Sequence, residues 1–67
     1  MDLRLYLAQF KPTERAVLRA QLASLLEVSR QTVYNWEARR HRPRTRHFRT
    51  LQSWSSHQIT WEALYDQ

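Results

Sequence analysis

Apolar side chains recur along the first part of the chain at the spacing of an α-helix. The pattern opens with four residues at i, i+3, i+4 and i+7, namely Leu3, Tyr6, Leu7 and Phe10. It predicts a first helix over about residues 2–10, with Asp2 at its start, where a negative charge suits the helix dipole. Because the residue before a proline avoids helical angles, Pro12 should end this helix.

A second amphipathic segment follows and is expected to run from an N-cap at Thr13 to about Leu26. Its apolar residues lie at i, i+4, i+7 and i+8, namely Leu18, Leu22, Leu25 and Leu26. A short connection, Glu27 and Val28, leads to a third helix over about residues 30–38. Together these elements predict a helix, a short turn and a second helix within about residues 19–38.

The third helix should begin after an N-cap at Ser29 and bury Val33 and Trp36, which lie three residues apart. Pro43 marks the next break, and a fourth helix over about residues 44–54 would bury Phe48, Leu51 and Trp54. Beyond it, Ile59 is expected in a short extended stretch. Thr60 is then expected to cap a last helical turn that carries Trp61, Leu64 and Tyr65.

Composition supports one small helical domain spanning residues 1–67. The 67 residues are 42% hydrophobic, which is too apolar for a disordered tail, and glycine is absent, which leaves little material for tight β-turns. The predicted fold class is therefore all-α with five helices. No apolar run approaches ~18 residues, so no membrane-spanning segment is expected.

Enzymatic and metal-binding functions find little support in the sequence. The chain has no cysteine, which excludes disulfides and cysteine-based zinc sites and fits a reducing cytoplasm. His41 and His47 lie six residues apart among arginines that repel a cation, so no metal site is expected. No nucleophile lies near both a histidine and an acid. We therefore expect no catalytic residues, no metal and no cofactor.

The positive charge is concentrated in one part of the chain. The net charge is +5, and no acidic residue occurs between Glu37 and Glu62. That interval contains three histidines and six arginines, namely Arg39, Arg40, Arg42, Arg44, Arg46 and Arg49. A field of one sign attracts polyanions, and guanidinium groups match phosphate in a fork. A basic surface that is merely solvated remains the alternative.

The segment "LASLLEVSRQTVYNWEARRHRP" resembles the helix-turn-helix of lambda-repressor-like or Cro-like (XRE-type) regulators. The likeness rests on nine positions in register: Leu22, Ala23, Leu26, Val28, Ser29, Val33, Trp36, Glu37 and Pro43. It implies a lambda-repressor-like fold of phage or mobile-element origin and sequence-specific binding to double-stranded DNA. It further implies a transcriptional regulator, a repressor or autorepressor, that acts as a homodimer on a palindromic operator in the bacterial or infected-host cytoplasm.

In this family the second helix of the motif lies in the major groove, and here that helix is residues 30–38. With Val33 and Trp36 inward, the opposite face offers side chains that suit base edges. We expect base contacts first from Arg30, Gln31 and Asn35, then from Tyr34 and Ser29. The alternative for Tyr34 is a surface aromatic, and the alternative for Arg30 is a solvated charge.

The likeness also places phosphate contacts and one internal ion pair. Arg19 lies at the start of the motif, where the family contacts phosphate, and the following arginines are expected to bind the DNA backbone: Arg40, Arg42, Arg44 and Arg46. Glu37 resembles a buried family glutamate that pairs with an arginine of the first helix, and Arg4 is the expected partner. The family usually has glycine at the turn and two residues after that glutamate, where this chain has Glu27 and Arg39.

The C-terminal segment, residues 54–67, leaves two interpretations open. Core packing explains its large apolar side chains, and a dimer interface is the alternative, since aromatic residues are enriched at interfaces. The candidate interface residues are Trp54, Trp61, Leu64 and Tyr65. The same segment could bind a protein partner, as in an antitoxin. A further alternative for the whole chain is a non-specific nucleic-acid binder.

Overall fold

The computed structural model describes residues 1–65 and contains, over that range, five α-helices, one short 3-10 turn and no strand. In chain order the elements are α1 (Leu3–Ala8), α2 (Pro12–Leu26), α3 (Arg30–Glu37), the 3-10 turn Thr45–His47, α4 (Phe48–Trp54) and α5 (Trp61–Tyr65). This confirms the all-α class expected from the sequence. No helix within these 65 residues is both long and apolar enough to cross a membrane.

The first two helices begin through different caps. Asp2 caps α1 by accepting a hydrogen bond from the backbone N–H of Leu5 at 3.0 Å. The prediction that Thr13 caps α2 was wrong, because α2 begins at Pro12. Proline suits the first helical position, since its missing N–H would have no partner there in any case. The carboxylate of Glu14 instead accepts from the N–H of Lys11 at 3.2 Å.

The later helices follow the predicted order with shifted ends. Ser29 caps α3 as expected, accepting from the N–H of Thr32 at 3.1 Å. The fourth predicted helix, residues 44–54, is divided into the 3-10 turn and α4. Before α5, the hydroxyl of Thr60 accepts from the N–H of Ala63 at 3.4 Å, which agrees with its predicted role as a cap.

Both helices of the predicted motif end at a left-handed residue that is not glycine. Glu27 follows α2 with φ 56°, and Arg39 follows α3 with φ 62°. After α2, the N–H of Val28 reaches back to the carbonyl of Ala23 at 3.0 Å, and the N–H of Arg40 closes α3 in the same way. Each left-handed residue costs roughly 1–2 kcal/mol relative to glycine. The turn therefore keeps the geometry that usually takes glycine and tolerates the strain.

The core draws on all five helices and on the segment before α5. Its buried residues are Leu3, Tyr6, Leu7, Leu22, Ala23, Leu26, Val33, Trp36, Leu51, Ile59 and Leu64. Trp36 is 7% exposed, which confirms that it belongs to the core. Ile59 is fully buried in irregular backbone, where its N–H donates to the hydroxyl of Ser55 at 3.0 Å. One side of α3 is thus held in the core by Val33 and Trp36, and its opposite side faces solvent.

Candidate nucleic-acid interface

The exposed face of α3 brings together the side chains that were expected to read bases. Val33 and Trp36 point into the core, so Arg30, Gln31 and Tyr34 are exposed. Asn35, which completes the set, is partly exposed, and its side-chain oxygen accepts a hydrogen bond from the amide of Gln31 at 3.3 Å. Two amides and a guanidinium on neighbouring turns provide both donors and acceptors, which is what recognition of base edges requires.

Ser29 occupies a different position from the other candidates. Its hydroxyl already accepts the cap hydrogen bond from Thr32 and lies 2.9 Å from the Thr32 hydroxyl. This hydroxyl therefore fixes where α3 starts. Any contact that Ser29 makes to nucleic acid would be additional to that structural role.

The ion pair of Glu37 differs from the expectation, because its partner is Arg19 and not Arg4. The Nε of Arg19 lies 2.7 Å from Oε1 of Glu37, and its Nη2 lies 2.9 Å from Oε2. The two side chains are only 15% and 18% exposed. The hydrogen bond to Glu37 raises the pKa of Arg19, although burial opposes the shift. α2 packs directly on α3, and this packing brings Arg19 to Glu37.

The same arginine also positions Tyr34. Its guanidinium carbon lies 4.7 Å from the centroid of the Tyr34 ring, within the range of a cation–π contact. Arg19, which was expected to bind phosphate, is therefore engaged inside the protein with both Glu37 and Tyr34. Arg4 remains exposed and forms no hydrogen bond or ion pair within residues 1–65. It lines an open groove together with Arg19, Tyr34, Glu37 and Ala38.

A second ion pair, which the sequence did not reveal, fixes the backbone just after α3. The Nε of Arg39 lies 2.7 Å from Oδ2 of Asp2, 37 residues away in sequence. Burial works to raise the pKa of Asp2, but the hydrogen bonds from Arg39 and from the N–H of Leu5 outweigh it, so the pKa is lowered. Arg39 is thus removed from the set of free cations. The only hint of this ion pair in the sequence was that position 39 holds an arginine, where the family that the chain resembles usually has glycine.

Arg49 lies in α4, and the other arginines of the basic stretch lie on the connection between α3 and α4, where hydrogen bonds hold parts of the backbone. Asn35 accepts from the N–H of Arg40 at 2.9 Å and from that of His41 at 3.3 Å through its carbonyl oxygen. Further along, the carbonyl of Pro43 accepts from the hydroxyl of Tyr65 at 2.7 Å. We call residues 40–46 the basic loop. It is attached to α3 at its first two residues and to α5 at its midpoint, Pro43.

Four arginine side chains of the basic loop are exposed, and over residues 1–65 they form no hydrogen bond or ion pair: Arg40, Arg42, Arg44 and Arg46. These are the residues that were expected to bind phosphate. Guanidinium groups without an internal partner keep all their donors for a ligand. Because the backbone beneath them is fixed, their positions relative to α3 are defined, which favours a specific geometry of binding.

His47 borders the basic loop and packs against the core residue Trp36. Its ring lies 5.8 Å from that of Trp36. Burial, followed by the charges of Arg46 and Arg44, lowers the pKa of His47 below its usual range. Across residues 1–65, no group of three or more histidine, cysteine, aspartate or glutamate side chains is placed to hold a metal ion.

The apolar side chains of the C-terminal segment mostly pack inward, which favours the core-packing interpretation over the dimer interface. Leu64 is buried in the core, and Tyr65 binds the carbonyl of Pro43 through its hydroxyl. The ring of Trp54 lies 5.2 Å from that of Tyr6. Trp61 alone of the four candidates stays substantially exposed, at 43%. Residues 66 and 67 of the predicted segment lie outside the described residues.

Comparison with family models, with curated proteins and with solved structures found nothing that matches this chain.

Proposed function

We propose that this protein is a sequence-specific regulator of transcription that binds double-stranded DNA through α3. The observation that carries the proposal is the juxtaposition of an exposed α3 face, bearing Arg30, Gln31 and Asn35, with four unpaired arginines on the basic loop. The proposed architecture is a lambda-repressor-like helix-turn-helix domain, and the proposed role is that of a repressor in a bacterial or phage-infected cytoplasm.

The shape of α3 suits the major groove of DNA. A helix with its side chains is ~10–12 Å across, and the major groove is ~12 Å wide. The core side of α3 is anchored by Val33 and Trp36, and its start is fixed by Ser29. A recognition element has to be rigid in order to distinguish base pairs, and these contacts supply the rigidity.

The chemistry of the exposed face favours reading over simple attraction. An arginine can bind a guanine edge through two hydrogen bonds, and an asparagine or glutamine can bind an adenine edge in the same way. Gln31 and Asn35 carry no charge, so they add nothing to the long-range electrostatic attraction between the protein and the DNA backbone. Their position beside Arg30 is the reason to prefer a sequence-specific reader over a non-specific binder.

The basic loop supplies the attraction for the DNA backbone. Each phosphate contact releases counterions and steepens the fall of log K with log salt by about 0.9. If each of the four unpaired arginines holds one phosphate, the slope is about −3.6 for each chain. A homodimer on a near-palindromic operator would double that value and would place two α3 helices about 34–36 Å apart.

The experiment that tests the proposal is selection from a random duplex library at about 150 mM salt, a salt level at which non-specific attraction is weak. An enriched inverted repeat with half-sites about 10 base pairs apart supports a dimeric reader and gives the operator. Binding at low salt without any enriched sequence would show a non-specific binder. Absence of binding at any salt would move the search to a protein partner of the region around Trp61, where Phe48 and Tyr65 pack.

A further inference from the structure

The side of α2 that faces away from the core is apolar and uncharged along most of its length. Val17 and Leu25 are each 56% exposed, and Gln21 lies midway between them on the same ridge. Small side chains form a second row of i, i+4 spacing beside the ridge, namely Ala16, Ala20 and Ser24. Arg19 is the one charged residue in this stretch, and its guanidinium is turned to Glu37. We call this surface the α2 outer face.

An open groove adjoins each end of the α2 outer face. The groove at the N-terminal end is lined by Phe10, Glu14, Val17, Leu18 and Gln21. The groove at the C-terminal end is lined by Leu25, Arg49, Thr50, Ser53 and Trp54. Each groove contains a single charged side chain, an acid at one end and a base at the other. The surface is therefore complementary in charge to a copy of itself that is turned end to end.

We propose that the α2 outer face binds a second copy of this chain, with the two α2 helices antiparallel about a two-fold axis at Gln21. Positions 17 and 25 are equally far from position 21, so Val17 of each copy meets Leu25 of the other. In the same register Glu14 of each copy approaches Arg49 of the other. Ridges of i, i+4 spacing that pack into the grooves of a like helix form the commonest class of helix contact.

The distribution of charge makes the α2 outer face the suitable place for a second copy to bind. Each chain carries a net charge of +5, so two copies repel each other through most of their surfaces. The α2 outer face lessens this repulsion, because it lacks free cations at its centre and the grooves at its two ends carry opposite charges, Glu14 in one and Arg49 in the other. A two-fold arrangement uses each of these contacts twice, as a self-complementary interface requires.

This contact would supply the homodimer that operator binding calls for, and to that extent it builds on the proposed function. The α2 outer face does not include Arg30, Gln31 or Asn35, so the association leaves the exposed face of α3 uncovered. Self-association is measured without DNA. A failure of the dimer is therefore distinguishable from a failure to bind DNA.

The first test is sedimentation velocity over a concentration series in the absence of DNA, with the unaltered chain and one disruptive variant. Leu25→Glu is expected to weaken self-association by roughly tenfold or more, because it replaces an apolar contact made twice. The matched control is Leu5→Glu, which changes a leucine of similar exposure (52%) on α1, away from the face. An unaltered chain that stays monomeric up to millimolar concentration would overturn the proposal.

The second test swaps the charges of Glu14 and Arg49 to examine the antiparallel register of the two α2 helices. Glu14→Arg and Arg49→Glu should each weaken the dimer, because each places like charges together, and the double variant should restore it. Glu14 also accepts a hydrogen bond at the start of α2, so circular dichroism must show that each variant keeps its helix content. Failure of the double variant to recover association while it remains folded would exclude the antiparallel register.

The third test places a cysteine on the proposed axis. The chain has no cysteine, so Gln21→Cys provides a single thiol in each copy. Helices that pack 8–10 Å apart leave roughly 3.5–5.5 Å between facing Cα atoms, which overlaps the range of a disulfide. Mild oxidation is expected to give a covalent dimer at Gln21→Cys and far less with Leu5→Cys. Equal crosslinking of the two variants would show random collision and would contradict the proposed axis.

Discussion

Replacing Arg30 and replacing Arg42 by alanine should each weaken the protein's binding to DNA, but in different ways. Arg30 lies in the first turn of α3 beside the amides of Gln31 and Asn35, whereas Arg42 lies on the basic loop. Both side chains are exposed, and neither forms a hydrogen bond or ion pair within residues 1–65. Each substitution thus removes one free cation without breaking an internal contact, and the pair separates base reading from phosphate binding.

The expected magnitudes follow from these two environments. Loss of one phosphate contact at Arg42 should weaken binding to every duplex alike and reduce the salt slope by about 0.9. Loss of a two-bond contact to a base at Arg30 should cost ~1–3 kcal/mol on the preferred site only, which is roughly 5- to 150-fold. Asn35→Ala should behave like Arg30→Ala, because it removes a base contact of the same kind.

Fluorescence anisotropy with two duplexes gives the required comparison. One duplex carries the selected operator and the other a scrambled sequence of the same length, and each is titrated at several salt concentrations. The ratio of the two affinities reports base reading, and the salt slope reports phosphate contacts. Equal loss on both duplexes for Arg30→Ala and Arg42→Ala would refute the division between reading and phosphate-binding residues.

Four further predictions concern stability and can be measured by thermal or urea unfolding. Trp36→Ala should cost ~3–5 kcal/mol, since the ring is 7% exposed, and melting near the parent temperature would contradict its core placement. Glu27→Gly should stabilise the fold by roughly 1 kcal/mol, or about 4–8 °C, by relieving the left-handed strain at φ 56°. A double-mutant cycle of Arg19→Met and Glu37→Gln should give a coupling of ~1.5–3 kcal/mol, and a value near zero would show that the pair contributes nothing. The lowered pKa of Asp2 predicts stability that is complete above its ordinary value of 3.8 and is lost as the pH falls through the lower folded pKa. Asp2→Asn should flatten this acid dependence, and an unchanged pH profile would exclude the carboxylate as its source.

The sequence by itself determined the features that depend on one helix and its immediate neighbours. The spacing of Val33 and Trp36 fixed which face of α3 is buried, and a serine at position 29 was sufficient to predict the start of that helix. Such features follow from the 3.6-residue period and from a cap whose donor is three residues away. The sequence alone was therefore sufficient to predict which side chains of α3 face solvent.

The tertiary structure decided which of several similar side chains meet. Arg4 and Arg19 are both arginines near α3, and only the packing of α2 on α3 selects Arg19 as the partner of Glu37. The Arg39–Asp2 pair spans 37 residues, a separation over which sequence spacing carries no information about distance. These contacts depend on how helices cross, and crossing angles are set by the whole core.

The same dependence on the whole core explains which apolar side chains are buried and which stay exposed. Leu64 and Leu25 are both leucines of amphipathic segments, yet one is 7% and the other 56% exposed. A periodic pattern shows that a helix has an apolar side, but it does not show how much of that side the rest of a small domain can cover. In this protein α1 and α3 pack against the inner side of α2, and Val17 and Leu25 stay open to solvent.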